Sequence, residues 1–210
     1  LNDKILQEVM KMDLTVDIKQ HLRILKELGI TGIGDEIELM AERRLIICPE
    51  EAAEAWDITT TILSYTGMGH FDSAMRYWMP SSDTVYSFDA EALDPHKMYT
   101  FFLEGISAIS QKEFPFLVLK EYEAIDGEPH KILFHHKNKQ YEFVAKCSGD
   151  WFDLHILNFI NAILEQEKIE KRFFFLVSGC QMIVVFYNTP EWADTFTERL
   201  GYPLYCSIDF

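Results

Sequence analysis

The stretches Phe173-Phe174-Phe175-Leu176-Val177 and Met182-Ile183-Val184-Val185-Phe186 decide the fold. Each is short and rich in aromatic and β-branched residues, and with Ser178-Gly179 as the turn between Phe173–Val177 and Gln181–Tyr187 the two read as the arms of a hairpin. Successive strand side chains point to opposite faces, and here both faces are apolar. A Phe or Val left in water forfeits about 1.5–3 kcal/mol of burial. Several side by side must be covered on both sides, by the chain's opening segment or by a second subunit.

Working backwards, that opening segment reads as helical over 1–80. Leu14, Ile18, Leu22, Leu25 and Leu28 recur at helical spacing and Gly29 stops the run. A second helix is expected to open at Pro49, with Glu50 and Glu51 in its first turn and Ala52, Trp56 and Leu63 along its stripe. Pro80-Ser81-Ser82-Asp83 is the best boundary. From 84 the texture alternates. A strand over 84–90 precedes a helix that Asp94-Pro95 would cap and whose stripe is Met98, Phe102, Ile106 and Ile109. Strands follow at 114–124 and 131–136.

The order then recurs. Tyr86-x-Phe88-x-Ala90 matches Tyr141-x-Phe143-x-Ala145, Ile106-x-Ala108-Ile109 matches Ile160-x-Ala162-Ile163, and Phe114-x-Phe116-Leu117-Val118 matches Phe173-x-Phe175-Leu176-Val177, at offsets of 55, 54 and 59 residues. The chain is read as two β-α-β-β units, 84–136 and 141–187, followed by a helix over 190–200 that Thr189-Pro190 starts and Gly201 ends. The expected fold class is α+β: an N-terminal helical segment (1–80) packed on a mixed or antiparallel sheet built from the two repeats within 84–210, plus the C-terminal helix, as one body rather than two independent domains.

The 210 residues carry 19 Lys and Arg against 34 Asp and Glu, a net charge of −15. A nucleic-acid binder needs a positive patch to displace counterions, and no basic cluster exceeds Arg43-Arg44 or Lys171-Arg172. Nucleic acid and an anionic membrane surface are therefore not expected as partners, and no apolar run reaches the length of a membrane span. Cys48, Cys147, Cys180 and Cys206 lack Cys-x-x-Cys spacing and sit in apolar neighbourhoods. Buried free thiols and a reducing cytoplasmic location are the expectation. The start, Leu1-Asn2-Asp3-Lys4, shows no apolar signal region.

The segment Gly149-Asp150-Trp151-Phe152-Asp153-Leu154-His155 gathers two carboxylates and an imidazole. Helix capping accounts for it, with Asp150 as N-cap and Asp153 in the first turn. On a helix His155 would point roughly 160° away from Asp153, so no shared metal is expected. In His135-His136 the two rings face opposite sides of a strand, one to solvent and one inward. Gly69-His70-Phe71-Asp72 reads as a turn exposing a His–Asp pair. No glycine loop, serine elbow or cysteine–histidine spacing marks a catalytic centre, and no catalytic residue, cofactor or metal is expected. Tyr77, Trp78, Trp151 and Trp192 are the aromatics suited to a recognition surface.

The sequence favours a non-enzymatic, acidic interaction protein, of the general character of an inhibitor or immunity protein, that meets a basic protein partner through electrostatic steering with an aromatic centre. Asp89 and Glu91 share one strand face, Glu121 and Glu123 share another, and Trp151 is the aromatic anchor. Two other readings stand beside it. One is an enzyme or small-ligand binder with a pocket between the helical segment and the sheet, using His70, Asp72 or His155. The other is a structural homo-oligomer.

Overall fold

The computed structural model describes residues 2–47, 57–72, 77–79, 81–91, 94, 96–124, 128–146, 151–177 and 181–208. The order along the chain is α1 (Asn2–Glu27), α2 (Asp35–Glu42), a π-helical turn (Arg43–Ile47), α3 (Ile58–Gly67), β1 (His70–Asp72), β2 (Tyr77–Met79), β3 (Val85–Asp89), α4 (Met98–Ile109), β4 (Leu117–Tyr122), β5 (Lys131–His136), β6 (Lys139–Val144), α5 (His155–Gln166), β7 (Arg172–Val177), β8 (Met182–Asn188) and α6 (Pro190–Leu200). The protein is α+β, with every strand pair antiparallel.

The strands form a short β1-β2 hairpin and two three-stranded sheets, ordered β3-β8-β7 and β4-β5-β6. The order strand–helix–strand–strand occurs twice, as β3-α4-β4-β5 and as β6-α5-β7-β8. Each three-stranded sheet takes its first strand from one unit and its hairpin from the other. The units therefore interlock: β3 pairs with β8, and β6 with β5. Phe114, matched in sequence to Phe173, lies ahead of β4, whereas Phe173 lies within β7. That match does not join equivalent strand positions.

Alternation along β3, β7 and β8 sends side chains into two separate apolar layers. Tyr86, Phe88, Phe173, Phe175, Ile183 and Val185 pack with α4, α5 and the inner face of the β4-β5-β6 sheet. Val85, Leu176, Val184 and Phe186 pack with Ile18, Leu22 and Leu25 of α1, Ile37 of α2, Ile62 and Leu63 of α3 and Phe196 of α6. The opening helices thus cover the back of the sheet, which is what strands apolar on both faces require. The outer edge of β7 is closed too. Phe175 exchanges backbone hydrogen bonds with Tyr205 at 2.8 and 3.0 Å, and the buried Asn161 amide bonds Phe173 N and O, each at 2.8 Å. A covered edge cannot pair with another chain.

β3 is pinned from both sides. A Cβ on Gly67 of α3 would lie 2.7 Å from Ser87 N and 2.8 Å from Tyr86 C, and one on Gly105 of α4 would lie 2.5–2.6 Å from three Tyr86 ring atoms. Gly67→Ala and Gly105→Ala should each lower stability by about 1–3 kcal/mol through overpacking. Gly67→Ala should cost more, because it meets backbone rather than a ring. Urea denaturation of the two variants checks the order.

Several local expectations are corrected. α3, which carries Leu63, starts at Ile58, with Asp57 accepting from Thr60 N at 3.0 Å in a capping box; the helix start expected at Pro49 lies outside the described residues, as do all of 48–56. The 1–80 segment includes the β1-β2 hairpin, so His70-Phe71-Asp72 is a strand and not a turn. α4 begins at Met98, and Asp94 instead accepts from His96 N at 3.0 Å. Ser178-Gly179 lies outside the described residues. The C-terminal helix forms as read, with Thr189 capping Trp192 N and Gly201 left-handed at φ 78. Cys206 is exposed, against the expectation of a buried thiol; Cys48, Cys147 and Cys180 lie outside the described residues. Among the described residues no helix is long and apolar enough to cross a membrane.

Candidate functional site

The end of the molecule where β3 stops and α4 and α5 start collects most of the residues singled out from sequence. Phe152 N–H donates to Ala90 O at 3.0 Å. This sets Trp151, 47% exposed, beside the end of β3, whose last residue is Asp89; Glu91 lies in a bend past the strand and so does not share a strand face with Asp89 as expected. Asp89 accepts from Glu91 N at 2.9 Å, and the exposed Glu91 carboxylate accepts from the Gln181 amide. Glu123 pairs with His96 at 2.6 Å, both partly exposed, just ahead of α4.

Glu121 behaves differently from its expected strand-mate. The register between β4 and β5 shifts between Val118 and Lys120. That irregularity bulges Leu119 out, so Glu121 falls opposite Ile132, in the row that points inward, while Lys120 and Tyr122 turn to solvent. The Glu121 side chain is 5% exposed. It accepts hydrogen bonds from Tyr99 N (3.0 Å), Thr100 N (2.9 Å), Thr100 Oγ1 (2.6 Å) and His130 Nε2 (2.8 Å). The carboxylate sits on the N-terminus of α4, where the helix dipole favours it. Strict alternation placed Glu121 on the exterior with Glu123; the bulge removes it, and Glu121 does not belong to a steering surface.

Asp153 is buried a few ångströms further along the same network. Its own N–H donates to Tyr99 Oη at 3.1 Å, and its carboxylate accepts from Lys146 N (2.6 Å), His155 N (3.0 Å) and His155 Nδ1 (2.7 Å). The expected separation of Asp153 and His155 is therefore wrong. α5 starts at His155, Asp153 lies outside the helix, and the helical 100° step does not apply. The result is two carboxylate–histidine pairs, Glu121–His130 buried and Asp153–His155 with the imidazole partly exposed, linked through Tyr99, whose amide meets Glu121 and whose hydroxyl meets the Asp153 amide. His130 Nδ1 has no partner in this network.

A third pair lies at the opposite end of β5. His136, fully buried, bonds Pro115 O at 2.9 Å and Glu167 Oε2 at 3.1 Å, while His135 is partly exposed, as strand alternation requires. Burial alone would raise Asp153 and Glu167. Hydrogen bonds outweigh it, from Lys146 N and His155 at Asp153 and from Lys137 and His136 at Glu167, and hold both below the usual carboxylate values. A lowered folded-state value stabilises the fold above the unfolded carboxylate pKa, and that stability is lost as pH falls through the folded value. The urea midpoint should drop on acidification, and Asp153→Asn should flatten the drop. Midpoints measured across the acid range check this.

Among the described residues no group of three or more His, Cys, Asp or Glu could hold a metal ion. A cleft does lie between the helical segment and the sheet, bordered by Leu28, Thr84, Tyr187 and Trp192. His155 is not part of its wall, and the side chains of His70, Asp72, Tyr77 and Trp78 lie outside the described ones. Trp192 is half-buried against Phe186 and Phe196, which fits a packing role. Nothing in the sequence announced the Tyr99 link or the Glu121–His130 pair. Compared with family models, curated proteins and solved structures, the chain matches none.

Proposed function

We propose that this chain is an acidic protein-interaction module that binds a basic protein, in the manner of an inhibitor or immunity protein acting in the cytoplasm, through the end bearing Asp89, Glu91, Glu123 and Trp151. The observation carrying this reading is the Phe152–Ala90 hydrogen bond, which seats a half-exposed indole beside the end of β3, next to Asp89 and Glu91. Aromatic anchors ringed by charge supply affinity at the centre and steering at the rim. The network beneath, with Glu121 on α4 and Asp153 at α5, holds both helix starts in place and gives the surface a rigid floor. A net charge of −15 adds a long-range pull on a cationic partner.

The test is affinity capture from the native host at low and raised salt, followed by association kinetics with the protein recovered. Asp89→Lys/Glu91→Lys should slow association at low salt by about tenfold or more, and Trp151→Ala should speed dissociation. Recovery of the same proteins by wild type and by both variants at every salt concentration defeats the reading.

A further inference from the structure

We propose that the cleft between α1, β3 and α4 binds the ammonium or guanidinium head of a small organic cation or of a Lys or Arg side chain. The cleft encloses about 130 Å³. That is well below the few hundred Å³ of a cofactor or drug-sized site, and suits a single head group on a short stem. Two helices end against it. α1 closes through Gly29 at φ 84, with Gly29 N on Lys26 O and Ile30 N on Leu25 O, both at 3.0 Å. α4 closes through Gln111 and Lys112, at φ 51 and 67, with Gln111 N on Ala108 O at 3.1 Å and Lys112 N on Ser107 O at 3.4 Å. Both helices point the negative end of their dipole at the cleft, although these capping bonds take up much of the carbonyl charge.

Side chains add to that field. The Asp83 carboxylate lines the cleft and accepts only from the Thr31 hydroxyl among the described side chains. The wall already seats one ammonium: Lys171 Nζ lies 2.8 Å from Glu113 Oε1 and 5.2 Å from the centre of the Tyr187 ring. Glu113 pairs with Lys171, so among the described residues Asp83 is the charged group of the wall that has no ion-pair partner. The Trp192 indole is fixed by its N–H to Leu28 O at 2.9 Å and adds a π-surface of the kind cations favour. This site lies at the start of β3, at the far end of that strand from Asp89 and Glu91, and does not depend on the interaction surface proposed above.

The experiment is an amide and indole N–H NMR titration of the full chain with agmatine, with a blocked Gly-Arg-Gly peptide, and with glutamate as the anionic control. Agmatine should give saturable shifts centred on Gly29, Gln111 and the Trp192 indole, with a dissociation constant of about 1 mM. Asp83→Asn should weaken it about fivefold, whereas Glu91→Lys should leave it unchanged. Binding of agmatine alone assigns a free cation, and binding of both cations assigns a partner's side chain. If Asp83→Asn does not fold, the location of the wild-type shifts still decides. No saturable shift, shifts scattered over the acidic surface, or preferential binding of glutamate overturns the proposal.

Discussion

Val184→Asp should abolish the cooperative unfolding transition. Val184 is fully buried on β8, facing Leu22, Ile62 and Phe186 rather than the α4 side. The substitution removes about 1.5–3 kcal/mol of apolar burial. It also leaves a carboxylate without a partner in an apolar layer, which costs several kcal/mol more even after the group takes up a proton. Together these approach the whole stability of a domain, about 5–15 kcal/mol. The variant discriminates because it tests the seal and not merely the strand: were α1–α3 detached, Val184 would face water and the change would cost less than about 0.5 kcal/mol. Val185→Asp, on the opposite face, should be as damaging. Leu117→Asp should be tolerated, since Leu117 lies on the uncovered face of the β4-β5-β6 sheet and is 62% exposed. Circular dichroism with urea denaturation of the three variants reads all of this. A cooperative Val184→Asp transition near the wild-type midpoint would refute the two-layer arrangement.

The seal was legible because it follows from composition alone. Phe173–Val177 and Met182–Phe186 offer no polar face, and only one stretch of chain was long and amphipathic enough to cover them. The stop at Gly201 was legible for a similar reason: it is a local event, signalled by a residue that tolerates a left-handed backbone. What escaped depended on partners distant in sequence. α3 is buried on nearly every side, with Thr59, Thr60, Thr61 and Ser64 inside, so it has no polar stripe to mark its limits. Pattern cannot show how its polar groups are met: Thr66 Oγ1 donates to Ile62 O at 2.7 Å and the Ser64 carbonyl accepts from Ser87 Oγ at 2.6 Å, while Thr61 Oγ1 and Ser64 Oγ have no partner among the described residues. α2 is short and acidic and reads as surface. Asp153 looked like a first-turn helix acid because its neighbours are apolar at helical spacing. Phe152, which that reading places inside the helix, packs edge-on against Phe88 from outside it, with ring centres 4.9 Å apart. The bulge at Leu119 left no trace in residue type, and it alone decides that Glu121 turns inward.

That inward turn makes Glu121→Ala the most damaging single change at the polar end of the molecule. The Glu121 carboxylate satisfies two backbone N–H groups at the start of α4, the Thr100 hydroxyl and the buried His130 ring. Alanine leaves these donors with no acceptor in a site too closed for ready solvation. Each stranded donor costs about 1–3 kcal/mol. Partial relaxation brings the expected total nearer about 3–5 kcal/mol. Glu121→Gln separates charge from shape: it keeps an acceptor for one or two donors, places an amide N–H against another donor, and should fall between alanine and wild type. The same reasoning sets a boundary on function. Because Glu121 fixes the start of α4, its loss should disturb the Tyr99 and Thr100 amide resonances and lower the unfolding midpoint. Reversal of exposed Glu91 should do neither. If Glu121→Ala cost no more than Glu91→Lys in urea, the bulged register of β4 and the buried network built on it would both be wrong.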